Sequence, residues 1–118
     1  MKYLILLLAF AISQPLLAQD AESYEKTIKT FQENFNAQNT DAIFAQYTTE
    51  LQEEMTKEGV AGFVKGCYNK FGNLKTFSFI ETAEGIYSYL VEFEKGTLAM
   101  DIKISKEGKI STIQLQAP

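Results

Sequence analysis

The spacing of apolar residues changes once along this chain, near Gly72, and that change limits the fold to few possibilities. Before Gly72, apolar side chains recur every three or four residues, which is typical of helices with one buried face. After Gly72 they alternate with polar residues, which is typical of strands in a sheet with one buried face. Helices followed by strands, rather than a regular alternation of the two, predict an α+β fold.

The first predicted helix is marked by a narrow apolar stripe. Its members follow one another at intervals of four, three and four residues, so they share one side of a helix. Asp20 or Ser23 can cap its start, and the polar segment 36–39 is expected to end it. The predicted stripe consists of Tyr24, Ile28, Phe31 and Phe35.

Two further helices and a short extra turn are predicted before Gly72. Thr40 is expected to cap the second helix, Thr49 to cap the extra turn, and Thr56 to cap the third helix. Each of these later helices has an apolar face that can join the same core as the first stripe. The predicted core residues are Ile43, Phe44 and Tyr47 in the second helix, and Val60, Phe63, Val64, Cys67 and Phe71 in the third.

Short turn signals divide the second half into four predicted strands. They are Glu84-Gly85, Lys95-Gly96 and the segment 106–109. Strands joined by such short turns form an antiparallel sheet in which each strand pairs with the next. One face should pack on the helices and the other should partly face water. The predicted inward residues are Phe77, Phe79, Tyr87, Tyr89, Val91, Phe93, Leu98, Met100, Ile102, Ile104, Ile113 and Leu115.

The N-terminal residues are typical of a removable export signal. Lys2 precedes an apolar run over residues 3–12, which is too short to span a bilayer comfortably. Cleavage is expected after Ala18 or Gln19, with Gln19 preferred, and an uncleaved anchor helix is the alternative. Residues 1–19 are therefore predicted to be a signal peptide and residues 20–118 a single domain. The mature protein is expected to be periplasmic or secreted, with no membrane span after cleavage.

Composition excludes several classes of chemistry. The chain has no His, no Arg and one Cys, so Ser–His–Asp catalysis, zinc sites built on imidazole and thiolate clusters are excluded. Loss of residues 1–19 changes the net charge from −4 to −5, and an acidic domain without Arg is not expected to bind nucleic acid. No cofactor, metal site or catalytic motif is predicted. The acidic residues Glu50, Glu53, Glu54 and Glu58 are interpreted as a solvated helix face.

Three runs of the chain carry a family resemblance: FNAQNTDAIFAQYTTELQEEM, GVAGFVKGCYNKFGNLKTFSF and YSYLVEFEKGTLAMDIKISKEGKI. Within them, the segments Phe71–Phe77 and Phe93–Leu98 are the most specific elements. The chain resembles a small exported bacterial domain of unknown function in the nuclear transport factor 2-like (cystatin-like) superfamily. This domain is of the kind that can precede serine hydrolases. The resemblance covers about Tyr24 to Leu115 and rests on fold-type motifs.

The resemblance implies a cone, in which N-terminal helices pack on a curved four-stranded antiparallel sheet with a pocket between them. The chain ends at Pro118 without a hydrolase domain, so any accessory role is expected to be played in trans. The superfamily also contains isomerase-like enzymes that use a carboxylate in an apolar pocket. The candidates here are Asp101 and Glu81, and both are expected on the solvent side.

Tyrosines are the candidate ligand-binding residues. A buried Tyr ring is apolar and its hydroxyl needs a partner, so rings at the mouth of a pocket can contact an amphipathic ligand. The alternative is that these hydroxyls reach solvent at the rim of an ordinary core. The predicted ligand-binding set is Tyr47, Tyr68, Tyr87 and Tyr89.

Three functional hypotheses remain open from the sequence. The first is a non-enzymatic exported module that binds a small apolar or amphipathic ligand in the cone. The second is a structural or interaction module that forms a homodimer or docks on another envelope protein. The third is an isomerase-type or dehydratase-type enzyme, which the missing His and Arg disfavour. An open cavity lined by Tyr and Phe favours the first, an apolar outer sheet face the second, and a carboxylate inside the cavity the third.

Overall fold

The computed structural model describes residues 20–118 and places helices before a single antiparallel sheet. The signal peptide predicted for residues 1–19 lies outside these residues. The helices are α1 (residues 20–36), α2 (Thr40–Ala45), α3 (Thr49–Glu54) and α4 (Lys57–Phe71). The strands are β1 (Leu74–Ala83), β2 (Ile86–Phe93), β3 (Gly96–Ile104) and β4 (Ile110–Gln116), paired in the order β1-β2-β3-β4. The α+β fold predicted from the change in spacing is confirmed.

The apolar stripe of α1 is buried as predicted, and polar side chains tie the end of this helix to the sheet. The Oδ1 atom of Asn36 accepts a hydrogen bond from the Leu74 backbone N–H at 2.7 Å, and its Nδ2 atom donates to the Leu74 carbonyl at 3.0 Å. Asn36 is the last residue of α1 and Leu74 is the first of β1, so one side chain fixes how the helix meets the sheet. The buried stripe residues are Tyr24, Ile28, Phe31 and Phe35.

The starts of α2 and α3 each lie one residue from the predicted position. Asn39, not Thr40, caps α2, because its Oδ1 atom accepts a hydrogen bond from the Ala42 N–H at 3.2 Å. Thr48, not Thr49, caps α3, with its hydroxyl oxygen 3.2 Å from a first-turn N–H. The two assignments were wrong because neighbouring residues in each pair have side chains suited to capping, and only the backbone path decides between them.

Helix α4 begins where the sequence predicted, with Thr56 as its N-cap. Val60 and Val64 are fully buried, so the predicted apolar face packs against the core. The last residue of α4, Phe71, lies against the start of β3. A Cβ atom built on Gly96 would come within 2.9 Å of the Phe71 ring, which explains why the turn between β2 and β3 has a glycine there.

The sheet has the predicted alternation of buried and exposed residues. Tyr89 pairs with Met100, and Met100 pairs with Leu115, so the inward residues of β2, β3 and β4 form continuous rows. The β1–β2 turn is made by Glu84 and Gly85, which both have positive φ values, of 54° and 81°, as a two-residue hairpin turn requires. These rows form the sheet side of the core.

One inward residue of β1 differs from its prediction. Phe79 pairs with Tyr89 and thus has an inward register, yet 56% of its surface is exposed. β1 is an edge strand, and its ladder is irregular between Phe79 and Glu81. The intervening Ile80 is 51% exposed. The core therefore opens at this end of β1, because an edge strand has only one neighbouring strand to cover it.

The opposite end of the core is closed by aromatic rings. The centroid of the Phe35 ring lies 5.6 Å from that of Phe93 and 6.0 Å from that of Tyr68, and Phe71 contacts Phe93 at 5.6 Å.

The helices present between residues 20 and 118 include none that is long and apolar enough to cross a membrane.

Candidate functional site

Five aromatic side chains from α1, β1 and β2 meet near the β1–β2 turn, where the core is open. Tyr87 and Tyr89 are two residues apart on β2 and so face the same side of the sheet. Phe77 and Phe79 have the same relation on β1. The group is called the aromatic cluster here and consists of Tyr24, Phe77, Phe79, Tyr87 and Tyr89.

Direct ring contacts connect all members of the aromatic cluster. The Tyr24 and Tyr87 rings are stacked, with centroids 3.7 Å apart and planes inclined by 13°. Phe79 bridges the two β2 tyrosines, at 5.9 Å from Tyr87 and 5.6 Å from Tyr89. Phe77 adds an edge-to-face contact with Tyr89 at 6.0 Å. Phe79 is exposed, Phe77 and Tyr87 are half-buried, and the other two rings are buried, so the cluster presents an apolar surface to solvent.

Tyr24 fixes the position of this cluster relative to the helices. Its hydroxyl oxygen accepts a hydrogen bond from the Ile104 backbone N–H at 3.1 Å. Burial raises the pKa of Tyr24, and the bond from Ile104 partly opposes that shift. The Tyr24 hydroxyl therefore stays protonated at neutral pH and connects α1 with the end of β3.

Tyr89 supplies a second protonated hydroxyl group. Burial raises the pKa of Tyr89 to about 12, and the nearby carboxylate of Glu25 acts in the same direction. Only 3% of the Tyr89 surface is exposed. At neutral pH the phenol is thus a hydrogen-bond donor at the base of the aromatic cluster rather than an anion.

Two clefts adjoin the aromatic cluster and give it a charged border. One, of about 630 Å³, lies between α1 and β1 and is bordered by Phe77, Glu25, Lys29 and Lys75. The other, of about 280 Å³, is lined by the stacked tyrosines, the end of β3 and the loop after it. An apolar surface with charged groups of both signs at its border suits an amphipathic ligand better than a purely apolar one.

The four tyrosines predicted to bind ligand lie in three places. Tyr87 and Tyr89 belong to the aromatic cluster. Tyr68 lies on α4 and contacts Phe35 at the closed end of the core. Tyr47 follows α2 and forms a short bridge with Ile110, the first residue of β4. The structure therefore brings two of the four together and leaves the other two apart from them.

Tyr47 has a buried hydroxyl group with no hydrogen-bond partner among residues 20–118. Its side chain is 2% exposed, and burial raises its pKa to about 12. A buried donor without a partner is unfavourable by about 1–3 kcal/mol. The Tyr47 hydroxyl is therefore a polar group within an otherwise apolar part of the core.

The candidate catalytic carboxylates lie away from the aromatic cluster. Asp101 is on the outer sheet face, where its Oδ1 atom accepts a hydrogen bond from the Ser88 hydroxyl at 2.8 Å. Glu81 is exposed on the edge strand. Within residues 20–118 Asp101 is the one partly buried carboxylate, and the other Asp and Glu residues are exposed. The same residues contain no group of three or more His, Cys, Asp or Glu side chains that could hold a metal ion.

Sequence reasoning assigned Tyr24, Phe77 and Phe79 to the core and not to a site. The available signal was the position of β1 in the predicted sheet. A strand that begins an antiparallel sheet of consecutive strands is at its edge, so its inward residues are covered on one side only. Phe79, as an inward residue of this strand, was therefore a candidate for exposure.

The fold and this opening define a small α+β domain with an aromatic surface at one edge of its sheet. A family described as "Protein of unknown function (DUF3887)" matches residues 29–113, a range that begins in the second half of α1 and reaches into β4. The chain belongs to this family. Comparisons with curated proteins and with solved structures found no match.

Proposed function

We propose that this protein is a non-enzymatic exported module that binds a small apolar or amphipathic ligand at the aromatic cluster. The observation that carries the proposal is the exposure of Phe79, at 56%, on a ring that contacts both Tyr87 and Tyr89. Exposing a large apolar side chain to water is unfavourable, so contiguous exposed rings are typical of binding surfaces. A ligand that covers Phe79 removes this apolar surface from water, which favours binding.

The charged residues at the border of the aromatic cluster indicate that the ligand has a charged end in addition to its apolar body. Lys29 and Lys75 lie in the cleft next to Phe77, and either ammonium group can pair with an anionic head group. The protonated Tyr89 hydroxyl can donate a hydrogen bond to the same molecule. A ligand with an apolar body and an anionic end therefore fits the cluster and its border.

The proposal includes the location of the protein in the cell. The N-terminal residues support export, and the fold supports the likeness to the nuclear transport factor 2-like superfamily, whose cone has an opening between helices and sheet. On that basis the protein acts in the periplasm or outside the cell. An accessory role toward a serine hydrolase follows from the same likeness and is proposed with it.

A second candidate function is that of an interaction module, and the exposure of Ile80 favours it. Ile80 is 51% exposed on an edge strand, whose free backbone groups can pair with another chain. The partner would be a second copy of this chain or another envelope protein. The outer sheet face gives this candidate less support, because its central residues include Ser88, Asp101 and Lys103.

A binding titration tests the first proposal. The probe is anilinonaphthalene sulfonate, an aromatic anion whose fluorescence rises in apolar sites, added to protein purified after expression of the full chain. We expect Phe79→Ala to weaken binding by about tenfold, since it removes an exposed apolar anchor. The matched control is Leu90→Ala on the outer face of β2, which we expect to change binding by less than about twofold.

Equal weakening by the two variants, or no binding at all, would contradict the proposal. Circular dichroism of each variant shows whether it remains folded. Native mass spectrometry of the exported protein then separates the two candidate functions. A discrete small adduct that is lost on denaturation supports ligand binding, whereas a dimer without adduct that Ile80→Asp converts to monomer supports the interaction module.

A further inference from the structure

A cleft of about 530 Å³ separates α1 from the end of α2 and from the loop between β3 and β4. Its chemistry differs from that of the aromatic cluster, because ammonium, hydroxyl and amide groups line it and no aromatic ring does. Three lysines, Lys26, Lys106 and Lys109, line the cleft with a single acidic residue, Glu107. This local excess of positive charge occurs on a chain whose net charge is −4.

One of these lysines is held in place by the backbone. The Nζ atom of Lys109 donates a hydrogen bond to the carbonyl of Ala45, the last residue of α2, at 2.8 Å. An ammonium group has three N–H donors, so two remain for another acceptor. The loop itself is fixed, because the Ser105 N–H donates to the Lys109 carbonyl at 2.7 Å and the Gly108 N–H donates to the Ser105 carbonyl at 2.9 Å.

Amide side chains form the other wall of the cleft. Gln46 donates from Nε2 to the Thr27 carbonyl at 3.2 Å, and its Oε1 atom accepts a bond from Nδ2 of Asn34 at 3.4 Å. The Asn34 amide nitrogen has a second N–H that this bond does not use. Thr27 is 9% exposed, so this wall continues into the interior. The cleft thus combines a positioned cation with oriented amide donors before any ligand arrives.

We infer that this cleft is a binding site for a small hydroxylated carboxylate, of the sugar-acid class. Lys109, with Lys26 and Lys106, would hold the carboxylate, and the amides of Asn34 and Gln46 would bind hydroxyl groups. The cleft, at about 530 Å³, is large enough to hold a sugar ring. Lysine ammonium groups act as point charges, which suit one carboxylate without the two-point geometry that arginine imposes.

This site differs from the aromatic cluster, none of whose five residues lines the cleft, although Lys26 also lines the cleft beside Phe77 and Lys106 the cleft beside the stacked tyrosines. An apolar ligand at Phe79 and a sugar acid at Lys109 can therefore be tested one at a time. Phe79→Ala is expected to leave sugar-acid binding unchanged. If binding at the aromatic cluster is disproved, sugar-acid binding in the cleft can still hold, and the reverse is also true.

The test is a titration with glucuronate, followed by nuclear magnetic resonance of the backbone amides in protein purified after expression of the full chain. Glucose is the neutral control and inorganic phosphate the anion without hydroxyl-bearing carbons. We expect glucuronate, and not glucose, to shift the signals of Asn34, Gln46 and Lys109. No shift with glucuronate, or equal shifts with glucose, would overturn the inference. Binding of phosphate as strong as that of glucuronate would overturn the sugar-acid assignment.

Charge-neutral variants locate the site. Lys109→Gln keeps a donor for the Ala45 carbonyl but loses the charge, and we expect Lys26→Gln with Lys109→Gln to weaken glucuronate binding by about tenfold. The matched control, Lys65→Gln with Lys95→Gln, removes the same charge from exposed lysines elsewhere and should change binding by less than about twofold. Equal weakening by the two pairs would show unspecific attraction and would overturn the inference.

Discussion

At the scale of single residues, Tyr47 makes the sharpest prediction. Its hydroxyl is buried without a hydrogen-bond partner among residues 20–118, although its ring fits the core. Tyr47→Phe removes the hydroxyl and keeps the ring, so we expect the free energy of unfolding to rise by about 1 kcal/mol. Urea unfolding followed by circular dichroism measures this change.

The same variant also tests whether a ligand reaches Tyr47, which the sequence placed in the predicted ligand-binding set. If a ligand forms a hydrogen bond with the Tyr47 hydroxyl, Tyr47→Phe should weaken ligand binding. A matched control is Tyr24→Phe, because the Tyr24 hydroxyl accepts a hydrogen bond from the Ile104 N–H and its loss leaves that donor unpaired. We expect Tyr24→Phe to lower stability. A decrease of similar size for Tyr47→Phe would contradict the view that its hydroxyl is unpaired.

At the scale of elements, α4 contains two glycines that the structure leaves without a packing role. A Cβ atom added at Gly62 or Gly66 meets no heavy atom within 4 Å. Alanine in the interior of a helix is more favourable than glycine by about 1 kcal/mol, so Gly62→Ala and Gly66→Ala should each raise the free energy of unfolding by about that amount. Thermal and urea unfolding of the two variants check this.

Gly72 is the control for those substitutions. It follows α4 with a φ value of +80°, and a Cβ atom there would lie 2.7 Å from Oε1 of Glu94. Gly72→Ala should therefore lower stability, because it adds both backbone strain and a steric clash. If Gly62→Ala or Gly66→Ala lowered stability as well, the glycine face of α4 would have to pack against another surface, such as a second copy of this chain.

The helices and strands could be predicted because their signal is local. Burial of Tyr24, Ile28, Phe31 and Phe35 follows from spacing within one helix, and the sheet order follows from short turns such as Glu84-Gly85. The exact caps could not be predicted, because Asn39 and Thr40 both have side chains that can cap a helix and the backbone path decides between them. The candidate site depended on tertiary placement. Alternation gave Phe79 its inward register, but its exposure depends on which strand lies at the edge.

At the scale of the whole molecule, the core is closed at one end and open at the other. Phe35, Phe71 and Phe93 fill the end where α4 meets β1, whereas Phe79 stays exposed near the opposite turn. The opening is therefore a consequence of the position of β1 at the edge of the sheet rather than of a single unusual residue. The lysine-lined cleft lies between α1, the end of α2 and the loop between β3 and β4, and none of the five aromatic-cluster residues lines it, so the fold offers two surfaces of different chemistry.

Burial of phenols predicts that the whole domain loses stability in alkaline solution. Burial raises the pKa values of Tyr47 and Tyr89 from 10.0 to about 12, so the folded state keeps these protons while the unfolded state releases them. Their contribution is fully present below pH 10 and is lost as the pH rises toward 12, by at most about 3 kcal/mol for each ring. Urea unfolding across this range should show a falling free energy of unfolding. The double variant Tyr47→Phe/Tyr89→Phe retains the same lysines and should show a flatter decline. An equally steep decline in that variant would contradict the assignment to these two phenols.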